Sequence, residues 1–316
     1  MTDPQALGVA GPVAEASHAT EAARRGGTDR PRSLTSDAWH DLRRRPLFLV
    51  SMTLIVVLLV LAAFPGLFTS ADPNAGLLAR SRQPPSAQAW FGYDLLGRDV
   101  YARTIYGTRV SIIVGVLATT FTVLIGATMG IIAGFYGGWV DGVASRIADV
   151  FFGLPFVLGA IVVLSTFRES VGGAAGITAL VVLTMSALSW PVAMRIMRSA
   201  AIAARQQDYV RAARGLGASP LRVIWRHLLP NCLAPVLVYA TIALGAFIGA
   251  EATLSFLGIG LRDPVVSWGV MISEARDYIR VSPYLLAFPA AFLAVTVLAF
   301  VMLGDAVREA FDPKGR

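Results

Sequence analysis

The groups in this chain that could make or break bonds are few. In 316 residues there are three histidines (His18, His40 and His227), one cysteine (Cys232) and one lysine (Lys314). A side-chain nucleophile needs an adjacent base, and no GxSxG, CxxC or HExxH spacing supplies one. A lone cysteine forms neither an internal disulfide nor a thiolate zinc site by itself, so Cys232 reads as small apolar packing. A phosphate-binding GxxxxGK[ST] loop needs its lysine before Ser or Thr, and Lys314 lies between Pro313 and Gly315. The chain therefore carries no phosphate loop with which to hydrolyse ATP. Within apolar sequence, the ionisable residues are Asp141, Arg146 and Asp149 in one cluster, and Glu251 alone. A carboxylate such as Glu251 lines or gates a polar path, or it is a buried hydrogen-bond anchor near the outer interface; both readings stay open.

Those residues are set among apolar runs. Nearly charge-free stretches recur at Leu47–Phe68, Val110–Val140, Val150–Phe167, Ser170–Met194, Cys232–Ala250 and Val281–Gly304. Each approaches or exceeds the roughly 20 helical residues that cross a hydrocarbon core. Lipid offers open backbone groups no partner, so the runs predict an all-α membrane protein with six transmembrane helices. Alternation of the kind that builds a transmembrane barrel is missing. The first run follows a long tail and reads as a retained span rather than a cleaved signal peptide. Residues 1–35 read as a disordered tail, and Ser36–Arg45 as a short interfacial helix.

Arginine sets the expected orientation, because cytoplasmic segments are enriched in basic residues. With both termini inside, the inner segments hold the tail arginines, Arg146, the arginines between Arg195 and Arg226, and the C-terminal Arg308, Lys314 and Arg316. The net charge of +7 thus reads as a topology signal and not as nucleic-acid binding. Residues 69–108 and 258–282 become outer segments, with Trp90, Pro264 and Trp268 as interface anchors. Gly126, Gly130 and Gly134 form a stripe for close approach to a neighbouring span or subunit.

The polar island between the fourth and fifth runs, residues 198–231, has an order of its own. Ala200–Leu216 favours helix, and Gly217 can end it in a left-handed conformation. Ser219 then suits an N-cap and Pro220 the first helical position. Leu221, Ile224, Trp225 and Leu228 fall on one face at helical spacing, and Pro230 is expected to stop the second helix. Ala212 and Ala213 allow close approach of a partner, with Arg211, Arg214, Arg222 and Arg226 around them. Periodicity alone leaves two readings level, a handle for a soluble partner and a solvated basic loop.

The order Ala212-Ala213, three residues, Gly217, then Leu229-Pro230 resembles the cytoplasmic loop of permease subunits of ATP-binding-cassette importers. That family's pattern has glutamate where Arg211 stands. The resemblance continues through FGYDLLGRDVYARTIYGTRVSIIVG (residues 91–115), ASRIADVFFGLP (Ala144–Pro155) and DYVRAARGLGAS with RHLLPN across the island. It extends to EATLSFLGIGLRDPVVSWGVMI (Glu251–Ile272) and LGDAVREAFDPK (Leu303–Lys314). These motifs are similar to the second permease subunit of dipeptide and oligopeptide importers. The resemblance implies a type I importer permease fold in a bacterial inner membrane. In domain terms it implies a first span with its interfacial segment over 36–68, an outer segment over 69–108 and a five-helix core over 109–316.

It further implies that the island is the ATPase-coupling element. Its contact residues would be Tyr209, Arg211, Ala212, Ala213 and Leu216, then Gly217, Ala218, Ser219, Pro220 and Leu221. The implied partners are a sister permease, two ATPase subunits that bind ATP and Mg2+, an extracytoplasmic binding protein and a peptide cargo, all within membrane lipid; the chain itself would hold no cofactor. The rival readings are a stand-alone secondary carrier or channel, which calls for midplane ionisable clusters and paired broken helices, and a scaffold protein whose arginines bind anionic lipid.

Overall fold

The computed structural model describes residues 42, 43 and 45–311. The tail of residues 1–35 and most of the helix expected over Ser36–Arg45 lie outside them. The described chain runs α1 (Pro46–Ala63), α2 (Val100–Tyr136), α3 (Gly138–Gly153), α4 (Phe156–Phe167) and α5 (Gly173–Arg205). It continues with α6 (Asp208–Gly215), α7 (Pro220–Val223), a π-helical turn (Ile224–Leu228), α8 (Leu229–Phe256), α9 (Trp268–Ala275) and α10 (Tyr284–Phe311). Five helical runs are long and apolar enough to cross a membrane: α1, α2, α5, the unbroken course from α7 to α8, and α10. The only strand-like pairings among the described residues are the isolated bridges Gly76–Arg98 and Tyr93–Asp99.

The third run departs from the expected single helix. Its first residues close α3, which begins before it at Gly138, and the rest form α4; the two helices are bent by 87° at Leu154-Pro155. A proline disfavours helical backbone in the residue before it, and Leu154 is extended at φ −86°, ψ 119°. Counted with this pair as one broken span, the chain has the expected six. α3 is tied to α5 by Asp149–Arg195 at 2.7 Å and by Asp141–Arg198.

The glycine stripe decides how α2 meets α5. A Cβ at Gly126 would lie 2.6 Å from the Trp190 carbonyl oxygen, and one at Gly130 would lie 2.4 Å from that of Met194. At Gly134 the corresponding distance to the Arg198 carbonyl is 2.8 Å. The obstacles are backbone atoms, which cannot swing aside. The stripe therefore serves a neighbouring span of the same chain.

The bundle has two distinct ends. At one end, Arg45 pairs with Glu309, and the Arg205 guanidinium donates to the Phe135 carbonyl at 3.0 Å, closing the end of α2. The α6–α7 loop hangs here. At the other end, Arg109 donates to the Ala62 and Ala63 carbonyls at 2.8 and 3.0 Å and caps α1. Residues 64–99, 168–172 and 257–283 form a cap over this end.

Candidate functional site

The loop end is built on one apolar cluster. Val210 and Ala213 of α6, Val223 of α7, Ile224 and Leu228 of the π turn and Cys232 of α8 are all buried. They meet Ile131 and Phe135 of α2 and Met197, Ala201 and Ala204 of α5. Cys232 thus packs as a small apolar group. The expected continuous helix over Ala200–Leu216 is interrupted at Gln206-Gln207. The buried stripe 197, 201, 204 would continue at 208 in an unbroken helix, and Asp208 would be driven inward. The break leaves the Asp208 side chain fully exposed and brings Val210 and Ala213 back onto the cluster.

The turn that follows is closed by the backbone. Ala218 N–H donates to the Ala213 carbonyl and Gly217 N–H to the Arg214 carbonyl, both at 3.0 Å. This pair of bonds with a left-handed residue at C′ is the Schellman arrangement, and Gly217 has φ +80°. The Ser219 hydroxyl then accepts from Arg222 N–H at 3.4 Å, and Pro220 opens α7. The expected capping residues therefore stand as read.

The second helix differs from the expectation in two ways. Pro230 does not stop it. The helix widens into a π turn in which Leu229 N–H reaches the Ile224 carbonyl, and the chain then continues into α8 with Pro230 in its first turn. The wider turn also breaks the single face expected from Leu221, Ile224, Trp225 and Leu228. Ile224 and Leu228 point into the cluster, while Leu221 and Trp225 are exposed.

The two alanines expected to meet a partner divide between faces. Ala213 is buried within this chain and acts as an anchor. Ala212 is exposed on the opposite face with Arg211 and Gly215, so its small side chain leaves that face open to close approach. Leu216, 90% exposed, and Leu221, 66% exposed, stand at the turn with Ser219 and Pro220. Tyr209 is partly exposed, and Ala218 is half-buried beneath the turn. Gly215 was missed from sequence; a Cβ there would meet nothing in this chain, and its place opposite Val210 and Ala213 is the signal that could have found it.

Glu251 lies near the cap end of α8 and is fully buried. Its Oε1 accepts from the Ser255 hydroxyl at 2.7 Å and the Ser267 hydroxyl at 2.9 Å, joining α8 to the start of α9. Its Oε2 has no hydrogen-bond partner among the described residues. A carboxylate that lines a path must be reached from it, and this one is enclosed. The anchor reading is the one its surroundings match.

The cap is held by charge. Arg98 donates to Asp94 at 2.6 Å, to Asp263 at 2.8 Å and to Glu274 at 3.0 Å, and Arg103 donates to Glu274 at 3.0 Å. Burial works against the charged form of Arg98, but Glu274, Asp94 and Asp263 outweigh it and hold its pKa above the ordinary value. Burial pushes the Glu274 carboxyl above the usual range, with Arg103 and Arg98 opposing it. Arg168 donates to the Ile259 and Gly260 carbonyls, both at 2.9 Å, tying the end of α4 to the same cap. Trp268 is not an interface anchor. It is fully buried; its N–H reaches Ser111 at 3.2 Å and its indole donates to the Thr104 carbonyl at 3.0 Å. Trp90, by contrast, is largely exposed.

A bundle of broken and glycine-packed spans, with a basic loop at one end and a structured cap at the other, has known relatives. The model of the "binding-protein-dependent transport system inner membrane component" matches residues 126–316, and that of the "N-terminal TM domain of oligopeptide transport permease C" matches residues 33–85. The dipeptide transport system permease protein DppC of Alkalihalophilus pseudofirmus is 36% identical over 88% of this chain and 89% of its own. The oligopeptide transport system permease protein OppC of Bacillus subtilis is 35% identical over 90% and 91%. The chain belongs to the family of binding-protein-dependent transport system inner membrane components. A glutathione transport system permease protein, GsiD of Pectobacterium atrosepticum, is 35% identical over 87% of this chain and 91% of its own. Among solved structures, an inward-facing MetNI methionine ABC transporter chain aligns with TM-score 0.54 at 20% identity, covering 66% of this chain and 97% of that one. That likeness shows the shared permease fold. As a member of this family, the chain is a multi-pass inner-membrane permease subunit that works with other transporter subunits, and ATP hydrolysis lies in those partners.

Proposed function

We propose that this chain is one half of the translocation path of a peptide importer, carrying dipeptides or longer peptides, and that it receives its driving force through the α6–α7 loop. A sister permease supplies the other half. Two ATPase subunits or domains bind ATP and Mg2+, and an extracytoplasmic binding protein delivers cargo to the cap. Both termini and the loop face the cytoplasm, in keeping with the arginine distribution and with the pairing of Arg45 and Glu309 at the loop end.

The observation that carries this reading is the two-sidedness of the loop. Val210 and Ala213 fix it to α2 and α5, while Arg211, Ala212, Leu216 and Leu221 are left facing outward. When ATP draws the ATPase subunits together, each moves one such loop, and the spans rock between inward- and outward-open arrangements as packed bodies. The contact face comprises Tyr209, Arg211, Ala212, Leu216, Ser219, Pro220 and Leu221; Ala213, Gly217 and Ala218 hold its shape. The cap, with Trp90 exposed and Arg98 at its centre, is the surface for the binding protein.

The test is detergent extraction of the assembly from native membranes, identification of the co-purifying subunits and measurement of peptide-stimulated ATP hydrolysis. ATPase subunits and a sister permease should co-purify, and peptide with its binding protein should raise hydrolysis. Solute movement by the purified chain alone, without nucleotide, would overturn the proposal.

A further inference from the structure

We infer that the ATPase surface receiving the loop is an apolar hollow rimmed by carboxylates, and that Arg211 and Arg222 engage that rim and select the partner. The inference rests on the loop being the docking element proposed above. Residues 206–227 carry four arginines, Arg211, Arg214, Arg222 and Arg226, against one carboxylate, Asp208. Asp208 and Arg211 approach only to 3.8 Å with both side chains exposed, and such pairs contribute little. Arg214 is turned back, its guanidinium 4.8 Å from the centre of the Phe135 ring. Arg222 is exposed and has no ion-pair partner among the described residues.

The outward surface thus carries exposed apolar side chains, Leu216, Leu221 and Trp225, together with the exposed guanidinium groups of the weakly paired Arg211 and of Arg222. An apolar centre with arginine around it is the composition of a protein interface. A planar guanidinium fork matches a carboxylate in two parallel hydrogen bonds. Charges at a rim chiefly set the rate of encounter and reject wrong partners. Lipid phosphates also attract arginine, but a helix lying on a bilayer turns its apolar face to the acyl chains. The apolar face of α6, Val210 and Ala213, is already spent on α2 and α5, and the exposed Leu216 and Leu221 stand at the tight turn instead of along one helix face.

The experiment uses the full assembly in nanodiscs of neutral lipid, and in parallel of anionic lipid, and measures ATPase-subunit affinity as salt is varied. It compares wild type, the double variant Arg211→Glu/Arg222→Glu, and Leu216→Asp. The double variant should bind about tenfold more weakly at ~0.1 M salt, and the gap should close near 1 M, where the screening length falls to ~3 Å. Leu216→Asp should weaken binding at every salt concentration. If Leu216→Asp loses the ATPase and the double variant does not, the acidic rim is wrong and the docking reading stands. If neither loses it, the docking reading fails and this inference with it. If the double variant differs from wild type only in nanodiscs of anionic lipid, the arginines hold headgroups and the inference is overturned.

Discussion

Gly217 offers the sharpest test of how the loop keeps its shape. The residue sits at φ +80°, and a Cβ added there meets nothing within 4 Å. The Cβ of a substituted residue therefore meets no clash, and the cost it brings is backbone strain. A left-handed conformation costs a residue with a Cβ about 1–2 kcal/mol. A β-branched side chain is worse, and asparagine is tolerated better than other residues. One to two kcal/mol corresponds to a factor of about 5–30 in population. If the strained turn relaxes before docking, apparent affinity for the ATPase falls by up to that factor, since only the competent conformer binds.

In the expected series Gly217→Asn is mildest, Gly217→Ala intermediate and Gly217→Val most severe, with membrane insertion unchanged in all three. The assay is ATPase-subunit affinity in nanodiscs, paired with peptide taken up per ATP hydrolysed in proteoliposomes, after protease accessibility has confirmed topology. Gly217→Val with wild-type affinity and wild-type uptake per ATP would refute the claim that the two hydrogen bonds closing on Ala213 and Arg214 hold a contact surface.

Other substitutions separate the remaining roles. Ala212→Arg should leave the loop folded and block ATPase co-purification by bulk, whereas Ala213→Arg should bury a charge in the apolar cluster and render the loop protease-sensitive; wild-type co-purification by Ala212→Arg would place the contact elsewhere. Gly130→Leu should prevent α2 from meeting α5, because the obstructing atom is the Met194 carbonyl, and should lower thermal stability in detergent by more than the ~1–3 kcal/mol of ordinary overpacking. Arg98→Ala leaves Asp94 and Glu274 poorly compensated and should cost about 3–5 kcal/mol locally, lost as binding-protein-stimulated ATPase activity with basal activity retained. Glu251→Gln keeps an oxygen to accept from Ser255 and Ser267 and should hold transport within about twofold, since both hydrogen bonds can still be made; abolished transport in a normally assembled variant would restore a gating role.

The sequence reading succeeded where local chemistry decides the outcome. Apolar run length marked the spans, and the triad Gly217, Ser219 and Pro220 specified the turn with its cap. The glycine stripe predicted a close approach, though only the structure shows that its partner is α5. Failures came where a neighbour decides. Pro155 was visible, but the apolar run around it masked the bend it forces at Leu154. The break at Gln206-Gln207 has no proline or glycine to mark it; its cause is the exclusion of Asp208 from the buried stripe. The π turn before Pro230 rotates Leu221 and Trp225 away from Ile224 and Leu228, which a fixed helical period cannot anticipate. Nothing in the sequence around Arg98 marks it as the centre of the cap, because its carboxylate partners Asp263 and Glu274 are more than 160 positions away.

On the coupling role proposed above, these features account for how a push on a short loop would move whole spans. The cluster beneath the loop contains side chains from α2, α5 and α8 as well as from α6 and α7, so the loop has no independent hinge at its base. α2 and α5 touch backbone to backbone along the glycine stripe, and close-packed interfaces shift between discrete arrangements more readily than they deform. Displacement of α6 is therefore handed to α2 and α5 as one body. At the far end, that body meets the cap through Ser111 and Thr104 of α2, both bonded to Trp268. A rigid connection thus runs from the loop to the cap, and the bent α3–α4 pair, fastened to α5 by Asp141 and Asp149 and to the cap by Arg168, moves with it. Weakening the base of the loop should then lower uptake per ATP before it lowers ATP hydrolysis, whereas weakening the outward face should lower both together.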